Sequence, residues 1–278
     1  MNIYINGNRM YSQDVSSINT QLTLSAGSHR AVIKAWDASG AVQSKTVEFT
    51  VSTTSSGSTG SLTPPSTATT FSRIEEMTDW KWCSACANAG GGATLSMTRG
   101  ISSPSLDGSS TKFTLGGTTP WSHSLYYKRL TQNDKATNFI FDVSYYFTNP
   151  GASSGMEYSI SQRVGYEWYR WDTQCSFLNG NWRLWDSANV RWIDTSIACT
   201  RPPAYKWTRV VFEGKRQNGK VTFVAISING QRHYINKSFG PRKESSTSSS
   251  VTVHFQLNGD RYQTDYAVWG DKFKAVFW

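Results

Sequence analysis

Glu157, His254 and Gln256 are the residues of this chain whose types and spacing are best suited to chemistry. In the stretch SVTVHFQLNG, Val, Phe and Leu residues alternate with Thr252, His254, Gln256 and Asn258. This is the two-residue period of a β-strand. A strand that turns its apolar side to a core therefore presents His254 and Gln256 together on the other side. Carboxyl and imidazole groups are common proton carriers in active sites.

Two further stretches extend this pattern. In GMEYSISQ, a row of Met, Tyr and Ile leaves Glu157 on the opposite side. In YEWYRWDTQC, Trp168 and Arg170 share one side, but the alternation alone does not say which side meets the core. If these strands belong to one sheet, we expect Glu157, Arg170, His254 and Gln256 to face one surface.

Two kinds of catalysis are open to these side chains. A glycoside hydrolase needs a pair of carboxyl groups, one on each side of the bond it breaks. Glu157 is a candidate for one of them, and Asp172 and Glu167 are the nearest candidates for the other. A polysaccharide lyase needs a neutralising group and a base, roles for which Gln256 and His254 are candidates. The paired acids of laminarinase-like jelly rolls are missing, and the Gln-x-His order of alginate-lyase-like jelly rolls is reversed. Binding without catalysis is therefore our first interpretation.

The tryptophans point to a sugar ligand. Of the 12 tryptophans, five lie between positions 168 and 192. Aromatic rings bury well in large β domains, so we expect about three of these five in the core. An amphipathic ring at the surface can stack on the C–H face of a sugar. We assign Trp168 and Trp185 to stacking, with Arg170 and Gln256 binding the hydroxyl groups at the edges.

Composition limits the partners. The formal charge of +9 and pI near 9.4 favour attraction to anions. Basic residues are scattered and no nucleic-acid-binding motif is present, so we expect no nucleic acid. No apolar stretch is long enough for a membrane helix, so we expect no membrane insertion. We expect neither a catalytic metal nor a cofactor. The sequence leaves open whether a structural calcium ion is bound, because the ligands of such sites come from distant loops.

The four cysteines indicate an oxidising compartment. In a chain rich in Ser, Thr, Asn and Gly they are most simply two disulfides, which we predict to be Cys83–Cys86 and Cys175–Cys199. A zinc site of four cysteines and a redox role for CSAC are the rivals. We therefore expect a secreted protein, and we expect it to be a monomer. Because Met1 leads straight into a strand-like stretch and no signal peptide is visible, we expect the natural start to lie upstream.

Short alternating runs bounded by Gly, Asn, Ser and Pro predict an all-β protein. Residues 1–52 hold four or five short strands, about half of an immunoglobulin-like sandwich. Residues 53–71 are dominated by Ser and Thr, which predicts a flexible linker. Residues 72–278 hold about twelve strands, which predicts a two-sheet antiparallel jelly roll.

The stretches WCSACANAGGG, YRWDTQCSF, NWRLWDSAN, ACTRPPAYKWTRVVFEGKR and VHFQLNGDRYQTDYAVWGDKFKAVFW carry a resemblance. The chain resembles secreted acidobacterial-type proteins, mostly uncharacterised, that join an immunoglobulin-like domain to a C-terminal concanavalin A-like domain. The resemblance implies a lectin- or glucanase-like jelly roll, export and contact with glycans. The predicted function is therefore polysaccharide binding, with a hydrolase using Glu157, or a lyase using His254 on an acidic glycan, as the alternative. A module that binds protein is the third possibility.

Overall fold

A computed structural model describes residues 1–18, 20, 22, 24–25, 27–51, 61–84 and 92–278. Within these ranges the regular structure is β-strand apart from two 3-10 turns, Ile74–Glu76 and Pro150–Ala152, which confirms the all-β prediction. The strands are β1 Asn2–Ile5, β2 Asn8–Ser12, β3 Gly27–Trp36, β4 Val42–Val51, β5 Thr69–Ser72, β6 Lys81–Cys83, β7 Met97–Ile101, β8 Ser110–Leu115, β9 His123–Thr131, β10 Asn138–Phe147, β11 Ser153–Ser176, β12 Asn181–Asp186, β13 Arg191–Ala198, β14 Trp207–Gln217, β15 Lys220–Ile228, β16 Gln231–Phe239, β17 Arg242–Gly259 and β18 Tyr266–Phe277.

The chain forms two compact units, Met1–Thr59 and Gly60–Trp278. The first is one antiparallel sheet in the order β2-β1-β3-β4. Asn6 and Gly7 both have positive φ, 50° and 84°, so the Asn-Gly pair closes the β1–β2 hairpin as its sequence predicts. Nearly all described side chains of this unit are at least partly exposed. Its immunoglobulin-like relationship stays a prediction.

The second unit is a two-sheet antiparallel jelly-roll sandwich, as predicted. The larger sheet has the order β16-β15-β14-β10-β18-β8-β7, with β5 also paired to β18, and the smaller, six-stranded sheet has the order β13-β12-β11-β17-β9-β6. Aromatic rings join the two sheets. Phe255 of the six-stranded sheet lies 5.0 Å from Phe113 and 5.2 Å from Phe273 of the larger sheet, measured between ring centroids.

The alternation in β17 is confirmed. Val251, Val253, Phe255 and Leu257 are fully buried in the core, because successive side chains of a strand point to opposite faces. The neighbouring strand β11 doubles back on itself, so that a first arm, 153–164, lies beside a second arm, 167–176. The two arms meet where the Thr173 hydroxyl donates to the Tyr158 carbonyl oxygen at 2.9 Å.

Part of the predicted linker packs against the sandwich. Leu62 is buried, and its backbone N–H donates to Glu213 Oε2 at 2.9 Å. Thr69–Ser72 forms β5, antiparallel to β18. Residues 61–71 therefore differ from the flexible segment that their Ser/Thr-rich composition predicts, because one apolar side chain and an edge strand attach them. Residues 53–60 lie outside the described residues.

Cys175 and Cys199 form the predicted disulfide, with their Cα atoms 5.4 Å apart. These two sulfurs are therefore not ligands of a four-cysteine zinc site, and that alternative is wrong. Cys86 lies outside the described residues, so the Cys83–Cys86 pair stays a prediction. None of the described cysteines is free.

Candidate functional site

One side of the six-stranded sheet faces away from the core, and we call it the outer face. Glu157 of β11 pairs in register with Gln256 of β17, and Ser159 pairs with His254. The second arm of β11 turns Trp171 into the core, which leaves the alternate residues, Arg170 among them, on the outer face. Glu157, Arg170, His254 and Gln256 therefore share one surface.

A chain of side-chain hydrogen bonds crosses three strands of this face. Glu157 Oε1 accepts from Gln174 Nε2 at 2.8 Å and from Asn258 Nδ2 at 3.0 Å. Gln256 Nε2 donates to Asn258 Oδ1 at 2.8 Å, and Arg183 Nε donates to Gln174 Oε1 at 2.8 Å. We call these five residues the polar floor. Each side chain is held by its neighbour, so the floor is ordered before any ligand arrives.

The polar floor is shielded although it lies outside the core. Its three amide side chains, Gln174, Gln256 and Asn258, are between 6% and 9% exposed. Glu157 and Arg183 keep partial exposure. These two are therefore the charged groups of the floor that a ligand can touch.

Burial sets the protonation of Glu157. It raises the pKa of this carboxyl to about 7, against the hydrogen bonds from Asn258 and Gln174, and the charge of Asp172 raises the pKa further. Near neutral pH, Glu157 is thus divided between its protonated and ionised forms. Burial likewise lowers the pKa of the Arg183 guanidinium.

His254 lies beside the floor as a neutral ring. Its Nε2 is 3.1 Å from Ser161 Oγ, and its ring stacks on Tyr127 with centroids 6.1 Å apart. Burial lowers the pKa of His254 to about 4, although the Asp172 charge acts in the opposite direction. The imidazole is therefore uncharged at neutral pH, and it can donate or accept a hydrogen bond.

The two tryptophans assigned to sugar stacking differ in their surroundings. Guanidinium groups already lie over the Trp168 ring, with the Arg163 and Arg170 Cζ atoms 4.0 Å and 4.4 Å from its centroid. Trp185 is partly exposed and meets Trp192 edge to face at 5.2 Å. Arginines therefore compete with a ligand for the Trp168 ring, so Trp185 is the better platform.

Two of the five clustered tryptophans, Trp171 and Trp182, lie in the core, fewer than the three expected. Trp168, Trp185 and Trp192 are each partly exposed. Alternation within a strand separates the two groups, since Trp168 and Trp171 occupy positions of opposite parity.

The structure separates the two carboxylates considered as partners of Glu157. Asp172 lies on the outer face, where it forms an ion pair with Arg170. Glu167 has the opposite parity on the same arm, and it accepts hydrogen bonds from Lys243 and Tyr169. Only Asp172 therefore shares a surface with Glu157.

Arg183 is a floor residue that sequence reasoning missed. It joins the site because β12 pairs with the second arm of β11, placing Gln174 opposite Arg183. No local pattern marks this residue. The sequence does indicate that Gln174 lies on the outer face, because it has the same parity as Arg170 in the stretch YEWYRWDTQC.

No group of three or more His, Cys, Asp and Glu side chains lies close enough to hold a metal ion within the described ranges. The structural calcium ion stays a prediction to which no described residues are assigned. Among the described residues, no helix has the length and apolar character needed to cross a membrane.

A cleft of about 690 Å³ lies among loops of the sandwich, away from the polar floor. The side chains of Trp121, Leu178 and Tyr262 at this cleft are about half exposed or more. Arg201 and Asp260 also line it. None of the residues that the sequence assigns to a site lies at this cleft.

No protein-family model and no curated protein matches the chain in sequence. Solved structures match its fold. An endo-β-1,4-glucuronan lyase from Trichoderma reesei is 15% identical with a TM-score of 0.48, covering 74% of this chain and 94% of its own. The cellulose-induced protein Cip1 is 11% identical with a TM-score of 0.46, covering 74% and 96%. A family 11 carbohydrate-binding module from Clostridium thermocellum, in complex with a mixed-linked tetrasaccharide, is 12% identical with a TM-score of 0.36, covering 73% and 94%. At these identities the likeness extends to the β-sandwich fold alone.

Proposed function

We propose that the protein binds a polysaccharide on the outer face of the six-stranded sheet. The observation that carries this proposal is the polar floor, in which Glu157, Gln174, Arg183, Gln256 and Asn258 are joined by hydrogen bonds. Holding these side chains in one arrangement costs conformational entropy, and a ligand that binds the arrangement does not have to meet that cost again.

The chemistry of the floor and its border suits a sugar. Amide, carboxyl and guanidinium groups can exchange hydrogen bonds with hydroxyl groups, and fixed polar groups among rings are typical of ligand sites. Trp185 and Trp192 border the floor beside Arg183, and the Arg183 guanidinium lies 5.2 Å from the Trp192 ring. A sugar ring can therefore stack on Trp185 while its hydroxyls reach Arg183 and Glu157.

The protein acts outside the cell in this proposal. The Cys175–Cys199 disulfide supports an oxidising compartment. Membership of the acidobacterial-type group, export and a monomeric state remain predictions that belong to the same proposal.

Enzymatic action on the bound glycan is the second candidate function, and Glu157 favours it. A carboxyl with a pKa near 7 can donate or accept a proton at neutral pH. Asp172 is the second carboxylate on the same face, but its ion pair with Arg170 occupies it. A hydrolase would need Asp172 released from Arg170, whereas a lyase would use the neutral His254 as its base.

Binding and catalysis are separated by one set of incubations. The protein is mixed with insoluble polysaccharides and a glycan array, and with soluble polymers assayed for new reducing ends and unsaturated uronates. Binding without products supports a binding protein, and products lost in Glu157→Gln but not in His254→Ala support a hydrolase. Absence of binding to every polymer, or binding to protein that soluble sugars do not compete, contradicts the proposal.

The variant Arg183→Gln tests whether the polysaccharide binds on the outer face. This variant removes a partly exposed charge of the floor, and we expect about tenfold weaker binding because a charge-assisted hydrogen bond is lost. Arg209→Gln is the matched control, since Arg209 is exposed on the larger sheet and bonds Asp142. Unchanged binding in Arg183→Gln, or an equal loss in both variants, would contradict a site on the outer face.

A further inference from the structure

Four arginines gather on the outer face beside His254, and we call Arg129, Arg163, Arg170 and Arg242 the arginine cluster. Three of them surround one indole: the Cζ atoms of Arg163, Arg170 and Arg242 lie 4.0, 4.4 and 5.9 Å from the Trp168 ring centroid. Arg129 lies on β9, where it pairs in register with Thr252 of β17. Thr252 pairs on its other side with Ser161 of β11. Ser161 contacts His254, so the cluster continues directly from the surroundings of the polar floor.

The cluster carries more positive charge than its neighbours neutralise. Glu244 lies 3.8 Å from Arg163 and 3.6 Å from Arg242, and Asp172 pairs with Arg170. Arg129 donates to the Ser249 carbonyl oxygen at 2.7 Å and has no ion pair within the described part of the chain. Four guanidinium groups thus lie beside two carboxylates, and an excess of positive charge remains even when Glu157, whose pKa burial raises and the Arg170 charge lowers, is ionised.

Holding these cations together is unfavourable without a ligand. The pKa of the Arg163 guanidinium is lowered, first by burial and also by the charges of Arg170, Arg242 and Arg129, against the effect of Glu244. In addition, Arg170 Nε is buried without a hydrogen-bond partner among the described residues. A buried donor without a partner costs free energy, and such departures from good local chemistry are expected at functional sites.

We propose that the arginine cluster binds the anionic groups of an acidic polysaccharide. This inference rests on the proposed function, because it identifies the class of glycan held on the same outer face. Guanidinium groups pair with carboxylate and sulfate oxygens through charge-assisted hydrogen bonds. A neutral glycan would cover the cluster without relieving its excess charge, and would lose affinity for that reason.

The class of glycan is tested with polymers that differ only in charge. The full chain is titrated with polygalacturonate, polyglucuronate and alginate, each beside its methyl ester, and with dextran sulfate beside dextran. We expect at least one acidic polymer to bind about tenfold or more tightly than its uncharged counterpart at about 50 mM salt, and this preference to shrink at about 500 mM salt. The dextran pair shows whether sulfate replaces carboxylate.

Two variants test whether the arginine cluster causes the preference for acidic polymers. Arg129→Gln and Arg163→Gln should each weaken binding of the acidic polymer about tenfold, while leaving the affinity for its ester within about twofold of the unmodified protein. Arg209→Gln makes the same charge change on the larger sheet and should leave both affinities unchanged. Thermal unfolding of each variant shows whether it is folded, and Arg129 is exposed, so its substitution perturbs packing least.

The outcomes separate this inference from the proposed function. Equal affinity for acidic and uncharged polymers overturns the acidic-glycan inference and leaves polysaccharide binding intact. An equal loss in Arg209→Gln and the cluster variants also overturns it, because the attraction is then unspecific. Absence of binding to all polymers, charged and neutral, overturns the proposed function itself.

Discussion

Glu157 and Asn258 are 101 residues apart in the chain, yet the Asn258 amide donates a hydrogen bond of 3.0 Å to Glu157 Oε1. This contact exists because β11 and β17 pair along their length. It holds a carboxyl with a pKa near 7 on a surface that faces away from the core. The relationship gives the outer face a group that responds to pH.

Replacement of Glu157 by Gln should remove one source of pH dependence from the stability. The ordinary pKa is 4.5, and the fold raises it to about 7. Between these values the folded protein keeps a proton that the unfolded chain has lost, so stability rises as pH falls from 8 to 5. Relative to Glu157→Gln, the unmodified protein should gain roughly 1–3 kcal/mol over this range.

Urea unfolding of both proteins at pH 5 and pH 8 measures this difference. Glu75, whose pKa burial also raises to about 7, is present in both proteins, so its effect cancels. A difference between the two proteins that does not change with pH would contradict the raised pKa of Glu157.

His254 should titrate far below an ordinary histidine. Its pKa falls from 6.5 to about 4 because burial disfavours the imidazolium. The neutral ring therefore stabilises the fold above about pH 6.5, and this contribution is lost as pH falls towards 4. An NMR titration of the His254 ring should show it uncharged at pH 5.5, whereas a midpoint near 6.5 would contradict its burial.

Trp185→Ala should weaken polysaccharide binding about tenfold, because the stacking surface beside Arg183 is removed. Trp269→Ala is the matched control. Trp269 lies on the larger sheet, where Lys112 sits 5.4 Å from its ring centroid. Isothermal titration of both variants checks the prediction, and equal affinities for the two would remove Trp185 from the site.

The Cys175–Cys199 bond should stabilise the part of the sheet that carries Trp185. It closes a segment with a sequence separation of 24 that contains the whole of β12 and of β13. The loss of loop entropy in the unfolded chain predicts a stabilisation of about 3 kcal/mol. Denaturant unfolding of the double variant Cys175→Ser, Cys199→Ser should show this loss, and unchanged stability would contradict it.

Local patterns were sufficient for the strand β17 and its two faces. Val253 and Phe255 are in the core, and His254 and Gln256 are opposite, because burial of one face imposes the period of two. Trp171 shows the limit of such patterns. Its arm of β11 has rings on both sides, so only the packing decides that Trp171 is buried and Trp168 is not.

The polar floor and the arginine cluster depend on strand pairing, which the sequence does not display. Arg183 meets Gln174 because β12 follows β11 in the sheet, and Arg129 joins the cluster because β9 pairs with β17. Each residue is unremarkable within its own strand. Long-range register therefore determines the site, while local alternation determines only which residues are available to it.

Protection of tryptophans from oxidation tests polysaccharide binding on the outer face most directly. The protein is treated with a tryptophan-selective oxidant, with and without saturating polysaccharide, and modification is read by peptide mass spectrometry. We predict that bound glycan protects Trp185 and Trp192 while Trp121, at the separate cleft, reacts as before. Protection of Trp121 with unchanged reaction at Trp185 and Trp192 would contradict the account.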